Sequence, residues 1–221
     1  MVCSNLQDGI NINLGSGNKV INNTVFSNYN YGIYAYQNSG NNIASNAVFS
    51  NRLAGIYVYG NGVTSQSNIV CSNVIYGSYT SAGIDVNDSD HLDIFRNLVR
   101  NNQTFNIRVQ GGVDKSTNVR IINNTIYKSA NEDGISWQTA SWGEVYNNII
   151  ISNGSGAGDY GIASSSSGTV YVGYNVIDCN FSGPTNGTGL VFVTNYFTDP
   201  LVNISADFSI TNSSSPAVDN A

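Results

Sequence analysis

One short unit recurs along nearly the whole chain, and it leaves few folds open. Gly-Ile stands at Gly9-Ile10, Gly32-Ile33, Gly55-Ile56, Gly83-Ile84, Gly134-Ile135 and Gly161-Ile162. Asn106-Ile107 and Gly189-Leu190 fill the remaining places, so the unit returns every 23–28 residues. A repeat of this length implies a solenoid, because one coil cannot bury its apolar face alone. Stacked coils place equivalent residues in straight columns, and those columns can be read for chemistry.

A second ladder runs in register with the first: Asn23, Asn46, Asn73, Asn97, Asn124, Asn148 and Asn175. Two residues after each comes a β-branched side chain (Val25, Val48, Ile75, Val99, Ile126, Ile150, Ile177). Three residues before each comes another apolar one (Val20, Ile43, Val70, Ile94, Ile121, Val145, Val172). Alternating apolar positions broken by Asn and Gly describe short strands joined by tight turns. Asn tolerates a left-handed backbone and can bond the equivalent Asn one coil away, which explains its return at the bends.

This pattern resembles the right-handed parallel β-helix repeat of pectate-lyase-like enzymes and many secreted proteins. The resemblance implies an all-β solenoid of roughly eight coils, with residues 1–221 forming a single domain. The segment 195–221, with Asp199-Pro200-Leu201 and Ser215-Pro216-Ala217, resembles the C-terminal capping end of such proteins. No N-terminal cap is visible, since Asp8-Gly9-Ile10 is already repeat, and the chain is expected to be a domain of something larger.

Composition narrows the partners. Charged residues make up 10% of the chain and the net charge is −6. With 8 Lys and Arg in total, a basic stripe for phosphate is hard to build, so no nucleic acid is expected. No apolar run approaches a membrane span, so no membrane partner is expected. The Gly-, Asn-, Ser- and Tyr-rich mix resembles secreted, extracellular β proteins. Cys3, Cys71 and Cys179 fall at non-equivalent repeat positions, which predicts free, largely buried thiols instead of disulfides.

In the strand after each Gly, Ile points inward and the next residue points out. Ala35, Val58, Val86, Val109 and Trp137 then follow inward, which supports that register. The first outward column reads Asn11, Tyr34, Tyr57, Asp85, Arg108, Ser136, Ala163, and the second reads Asn13, Tyr36, Tyr59, Asn87, Gln110, Gln138, Ser165. Coils stack about 4.8 Å apart, close to one sugar unit, so each coil can address one residue of an extended glycan. Tyr34, Tyr36, Tyr57 and Tyr59 are candidates for stacking on pyranose rings. Asp85, Asn87, Arg108, Gln110 and Gln138 are candidates for bonding hydroxyls. The competing reading is a tyrosine ladder that only stabilises the sheet.

The favoured expectation is a non-catalytic module that binds a polysaccharide. It resembles the β-helix carbohydrate-binding modules attached to plant-polysaccharide-degrading glycoside hydrolases, which implies a covalently linked catalytic domain. Low positive charge favours a neutral plant glycan such as xylan or β-glucan. The alternative is a polysaccharide lyase or glycoside hydrolase with Asp85 and Arg108 as catalytic residues. A third class is a structural or adhesive surface β-helix. The Arg-x-Pro-x-x-Arg of pectate lyases is absent, as is the Gly-His-Gly of polygalacturonases. Asp85 and Arg108 can simply pair, and Glu132, Asp133 and Asp159 are expected to be solvated turn acids. No cofactor is expected; Asp88, Asp90 and Asp93 are weak candidates for calcium, and His91 beside them is expected to be neither base nor ligand.

Overall fold

A computed structural model describes residues 1–60, 65–112, 114–139, 141–178 and 180–197. The expected parallel β-helix forms, and no helix occurs among the described residues. Each coil contributes one short strand to each of three parallel sheets, and among the described residues each sheet has eight strands. Sheet I begins with Lys19–Ile21 and Asn42–Ala44, and sheet II with Val2–Cys3 and Thr24–Phe26. Sheet III carries the Gly-Ile unit, with strands Ile10–Asn13, Ile33–Tyr36, Ile56–Tyr59, Ile84–Asn87, Ile107–Gln110, Ile135–Trp137, Ile162–Ser164 and Thr185–Gly187. Register in sheet III is in step, pairing Tyr34 with Tyr57, Asp85 with Arg108 and Val86 with Val109.

The core is a continuous stack of inward Val and Ile, with Ile33, Ile56, Ile84, Ile107, Ile135 and Ile162 fully buried, and Trp137 filling one layer. The glycine of the repeat is required by close approach. A Cβ on Gly32 would lie 2.5 Å from Val48 Cγ1 and 2.6 Å from the Gly55 carbonyl oxygen.

The Asn ladder at the corner between sheets I and II forms as expected. From Asn46 onward, each side-chain Oδ1 accepts from the backbone N–H and the amide of the Asn one coil earlier, as Asn97 does from Asn73 at 2.9 and 3.0 Å. Its own amide donates to the Val70 carbonyl at 2.9 Å. The residue before each ladder Asn turns the corner in the left-handed region, as at Asn22, Ser45 and Ser72.

A second ladder, which the sequence reading missed, lines the corner between sheets II and III. Asn28 bonds Asn51, and Asn153 bonds Asn180, in the same donor-to-acceptor sense. This ladder is interrupted at Ser78 and again at Ser129. At Ser129, Asn106, which stands where other coils have Gly, bridges the gap by accepting from Asn102 at 2.8 Å and donating to Asn153 at 2.8 Å.

Cys3 and Cys71 are free but half-buried, because both lie on outward strand positions, a correction to the buried thiols expected. Cys179 and most of the expected 195–221 cap lie outside the described residues.

Candidate functional site

The outward face of sheet III holds the predicted columns side by side. Tyr34 and Tyr57 lie with ring centroids 5.4 Å apart and planes within 8°, and Tyr57 and Tyr59 at 5.5 Å and 12°. Near-parallel rings this close must overlap in an offset stack. Tyr36 packs at a tilt against both Tyr34 and Tyr59, at 5.7 Å each. The rings therefore use much of their faces on one another.

A fifth ring, Tyr31, completes the cluster at 5.1 Å from Tyr34 and 4.7 Å from Tyr57. Sequence reasoning missed it because it precedes the Gly and so belongs to the turn. The clue was available, since Tyr31, Phe105 and Tyr160 occupy the same place before the repeat unit. Burial raises the hydroxyl pKa values of Tyr34, Tyr57 and Tyr31, and the neighbouring rings and nearby carboxylates add to it. All three stay protonated donors at neutral pH.

The next two coils change the chemistry. Arg108 grips Asp85 with both arms of its guanidinium, Nε at 3.0 Å and Nη2 closer still. Gln110 and Ser81 each donate to the same carboxylate at 3.3 Å. The ion pair is thus sheltered, with side-chain exposures of 25% for Arg108 and 5% for Asp85. Burial opposes the charge on Arg108, but the Asp85 carboxylate more than offsets it and raises the guanidinium pKa. Four donors already fill Asp85, so it has little left to offer a sugar hydroxyl or a reacting atom. The Arg108 guanidinium also lies 5.7 Å from the Phe105 ring. Asn87 pairs in register with Tyr59 one coil earlier, so the second polar column continues the aromatic one.

Further along, Gln138 donates to Ser136 at 3.3 Å. Both line an open depression of about 270 Å³, together with Phe105, Glu132, Asp133 and Asn186. Here the sequence reading needs correcting, because Asp133 and Asp159 are not solvated turn acids. They are 6% and 7% exposed. Asp133 accepts the Tyr160 backbone N–H at 2.8 Å, and Asp159 accepts those of Ser155 and Gly156. Phe105 and Tyr160 stand on either side of Asp133 in its column, and that desolvation cannot be read from one coil. Burial first, then the charges of Glu132 and Asp159, push the Asp133 carboxyl up to about 7 against the Tyr160 hydrogen bond. Glu132 remains exposed.

The acid-dense segment from Asp85 to Asp93 is drawn apart. Asp88 accepts backbone N–H groups of Gly112 and Asp114, and Asp93 pairs with both arms of Arg120. Asp90 binds Thr117, Asn118 and His91; burial opposes its charge, but these partners hold its carboxyl below the usual range. Among the described residues, no three acids, cysteines or histidines converge as a metal site. The His91 side chain is 61% exposed and, among the described residues, pairs with its neighbour Asp90 and the Asn118 amide.

Residues 2–82 match the family model described as the right handed beta helix region. Among solved structures, the periplasmic alginate epimerase AlgG resembles the chain with a TM-score of 0.70 and 20% identity, over 86% of this chain and 46% of that one. A double mutant of the same epimerase gives 0.72 and 18%, over 87% and 48%. This chain therefore spans about half the length of those structures, and at such identities the likeness establishes the fold alone. None of the curated proteins matches it in sequence.

Proposed function

For a right-handed parallel β-helix repeat protein with such a face, we propose that the outward side of sheet III binds an extended polysaccharide without transforming it. The observation that carries this is the unbroken run from the five-tyrosine cluster, through Arg108 and Gln110, to the open depression at Gln138. The run advances one coil, and so about one sugar unit, per step. Because the rings stack on one another, contact falls to their hydroxyl-bearing edges and to the outermost ring faces. Gln110, Gln138 and Ser136 add amide and hydroxyl partners. Arg108, held by Asp85, serves as a fixed wall. A neutral plant glycan such as xylan or β-glucan suits the low positive charge. The module would act outside the cytoplasm beside a covalently linked catalytic domain. The alginate epimerases among its structural neighbours support polysaccharide as the ligand class.

The test separates binding from packing. Tyr34→Phe, Tyr57→Phe and Tyr59→Phe keep the stack and remove only the hydroxyls. In native gels cast with xylan or β-glucan, each hydroxyl that bonds the glycan should weaken retention by about 1 kcal/mol, near fivefold. Alanine at the same positions should weaken it further. Unchanged migration of all the phenylalanine variants and of Gln138→Ala would overturn the reading.

One observation favours a second reading. Asp133, poised near neutrality in the depression, is the kind of group that moves protons. If the chain is a polysaccharide lyase or hydrolase, the acid–base role falls to Asp133 and not to the filled Asp85. New reducing ends or unsaturated products that vanish in Asp133→Asn would replace the binding reading with this one.

A further inference from the structure

We infer that the corner between sheets II and III carries a second saccharide site, built for a carboxylate-bearing sugar around Arg52 and Tyr79. Tyr29, Arg52 and Tyr79 are equivalent residues of successive coils. Each backbone N–H bonds the carbonyl of the coil before, to Asn5 at 2.9 Å, Asn28 at 3.0 Å and Asn51 at 3.1 Å. The buried amides of Asn28 and Asn51, bonded to each other beneath the turn, hold the column rigid. All three side chains stand out into solvent, Tyr29 at 54% and Tyr79 at 60% exposure. They line a groove of about 480 Å³ that also takes in Ser4, Ser27 and Ser50.

The chemistry of the groove is specific. The Arg52 guanidinium lies over the Tyr29 ring, 4.2 Å from its centroid. That contact orients the fork without neutralising it. Arg108 and Arg120 are each paired with an aspartate, but Arg52 has no carboxylate partner among the described residues. A planar fork with free donors is matched by a carboxylate. Tyr79, one coil further on, makes no ring contact among the described residues and presents an apolar face for a pyranose. The serine hydroxyls stand ready for sugar hydroxyls. From Tyr29 to Tyr79 is two coil steps, roughly 10 Å, which accommodates a di- or trisaccharide. A uronic-acid oligosaccharide, with its carboxylate on Arg52 and the next ring on Tyr79, satisfies all three features. The site is separate from the sheet III face, so a glycan held there and an acidic one held here can be engaged together.

The test is calorimetric titration of the full chain with trigalacturonate, using maltotriose and triglutamate as comparisons. Trigalacturonate should bind, with affinity falling as salt rises, while maltotriose and triglutamate bind at least tenfold more weakly. Arg52→Met and Tyr79→Ala should each lower the trigalacturonate affinity at least tenfold, with circular dichroism unchanged, because both side chains are exposed. Arg52→Lys should recover only part of the loss, and Tyr57→Phe on sheet III should leave this affinity unchanged. Absence of trigalacturonate binding, full binding by Arg52→Met, or equal binding of triglutamate would each overturn the assignment, the last pointing to an acidic peptide instead.

Discussion

Asn97→Ala removes one rung from the middle of the ladder between sheets I and II, and its cost can be worked from the bonds it makes. The Asn97 Oδ1 accepts from the Asn73 backbone N–H and amide. Its amide donates to the Val70 carbonyl and to Asn124 Oδ1. Residues 73, 97 and 124 are each no more than 2% exposed, so water cannot take over. The substitution strands two buried donors on Asn73, at about 1–3 kcal/mol each, and thins the bonding of two acceptors. A loss of about 3–5 kcal/mol is expected. Asn23 is the internal control, because it donates upward to Asn46 while no described residue donates to its Oδ1. Asn23→Ala should cost about 1 kcal/mol, the net worth of the bonds it gives up. Urea unfolding followed by circular dichroism at constant m-value measures both. If the two variants lose the same stability, the ladder is not the cooperative element that its bonding implies.

Three further outcomes follow from the same structure. Arg108→Met leaves the sheltered Asp85 carboxylate without its guanidinium and should cost about 3–5 kcal/mol in urea unfolding; adding Asp85→Asn should recover most of it, and a single-variant cost below about 1 kcal/mol would show the pair to be ornamental. The folded chain holds the Asp133 proton up to about pH 7, against 3.8 ordinarily, so the unfolded chain releases it first as pH rises. Stability should therefore decline by a few kcal/mol at most between about pH 4 and 7 and level off above, and equal pH slopes for wild type and Asp133→Asn melting curves would refute it. Chelator should leave the melting temperature unchanged, because Asp88, Asp90 and Asp93 each have protein partners; a drop reversed by calcium would contradict this.

The coil architecture was legible because two residues, Gly and Asn, have steric and hydrogen-bonding reasons to recur at fixed points. The outward columns followed from strand alternation, and Tyr34, Tyr57, Asp85 and Arg108 pair as that alternation requires. What was not legible depends on neighbours a full coil away. The turn residue Tyr31 joins the aromatic cluster only after stacking. Asp85 is closed off by Arg108, Gln110 and Ser81 together. Asp133 is desolvated between aromatic neighbours that lie 28 residues before it and 27 after it. The second Asn ladder was hidden because Ser78 and Ser129 interrupt its sequence pattern.

The splice at Ser129 ties two positions into one unit of inheritance. Where the corner carries Asn, as at Asn51, its amide sits 2.7 Å from the point a Cβ on Gly32 would occupy. Gly with Asn fits, Asn106 with Ser129 fits, and Gly with Ser occurs at Gly55 and Ser78, but Asn with Asn collides. A lineage moving between Gly with Asn and Asn with Ser can pass through Gly with Ser but not through Asn with Asn, so the order of the two changes is fixed and their effects are strongly non-additive. Ser129→Asn should be harmful here, yet harmless once Asn106→Gly accompanies it. In a repeat fold that looks freely interchangeable from coil to coil, this coil can be exchanged for its neighbours one residue at a time in only one order, with residue 106 changing first.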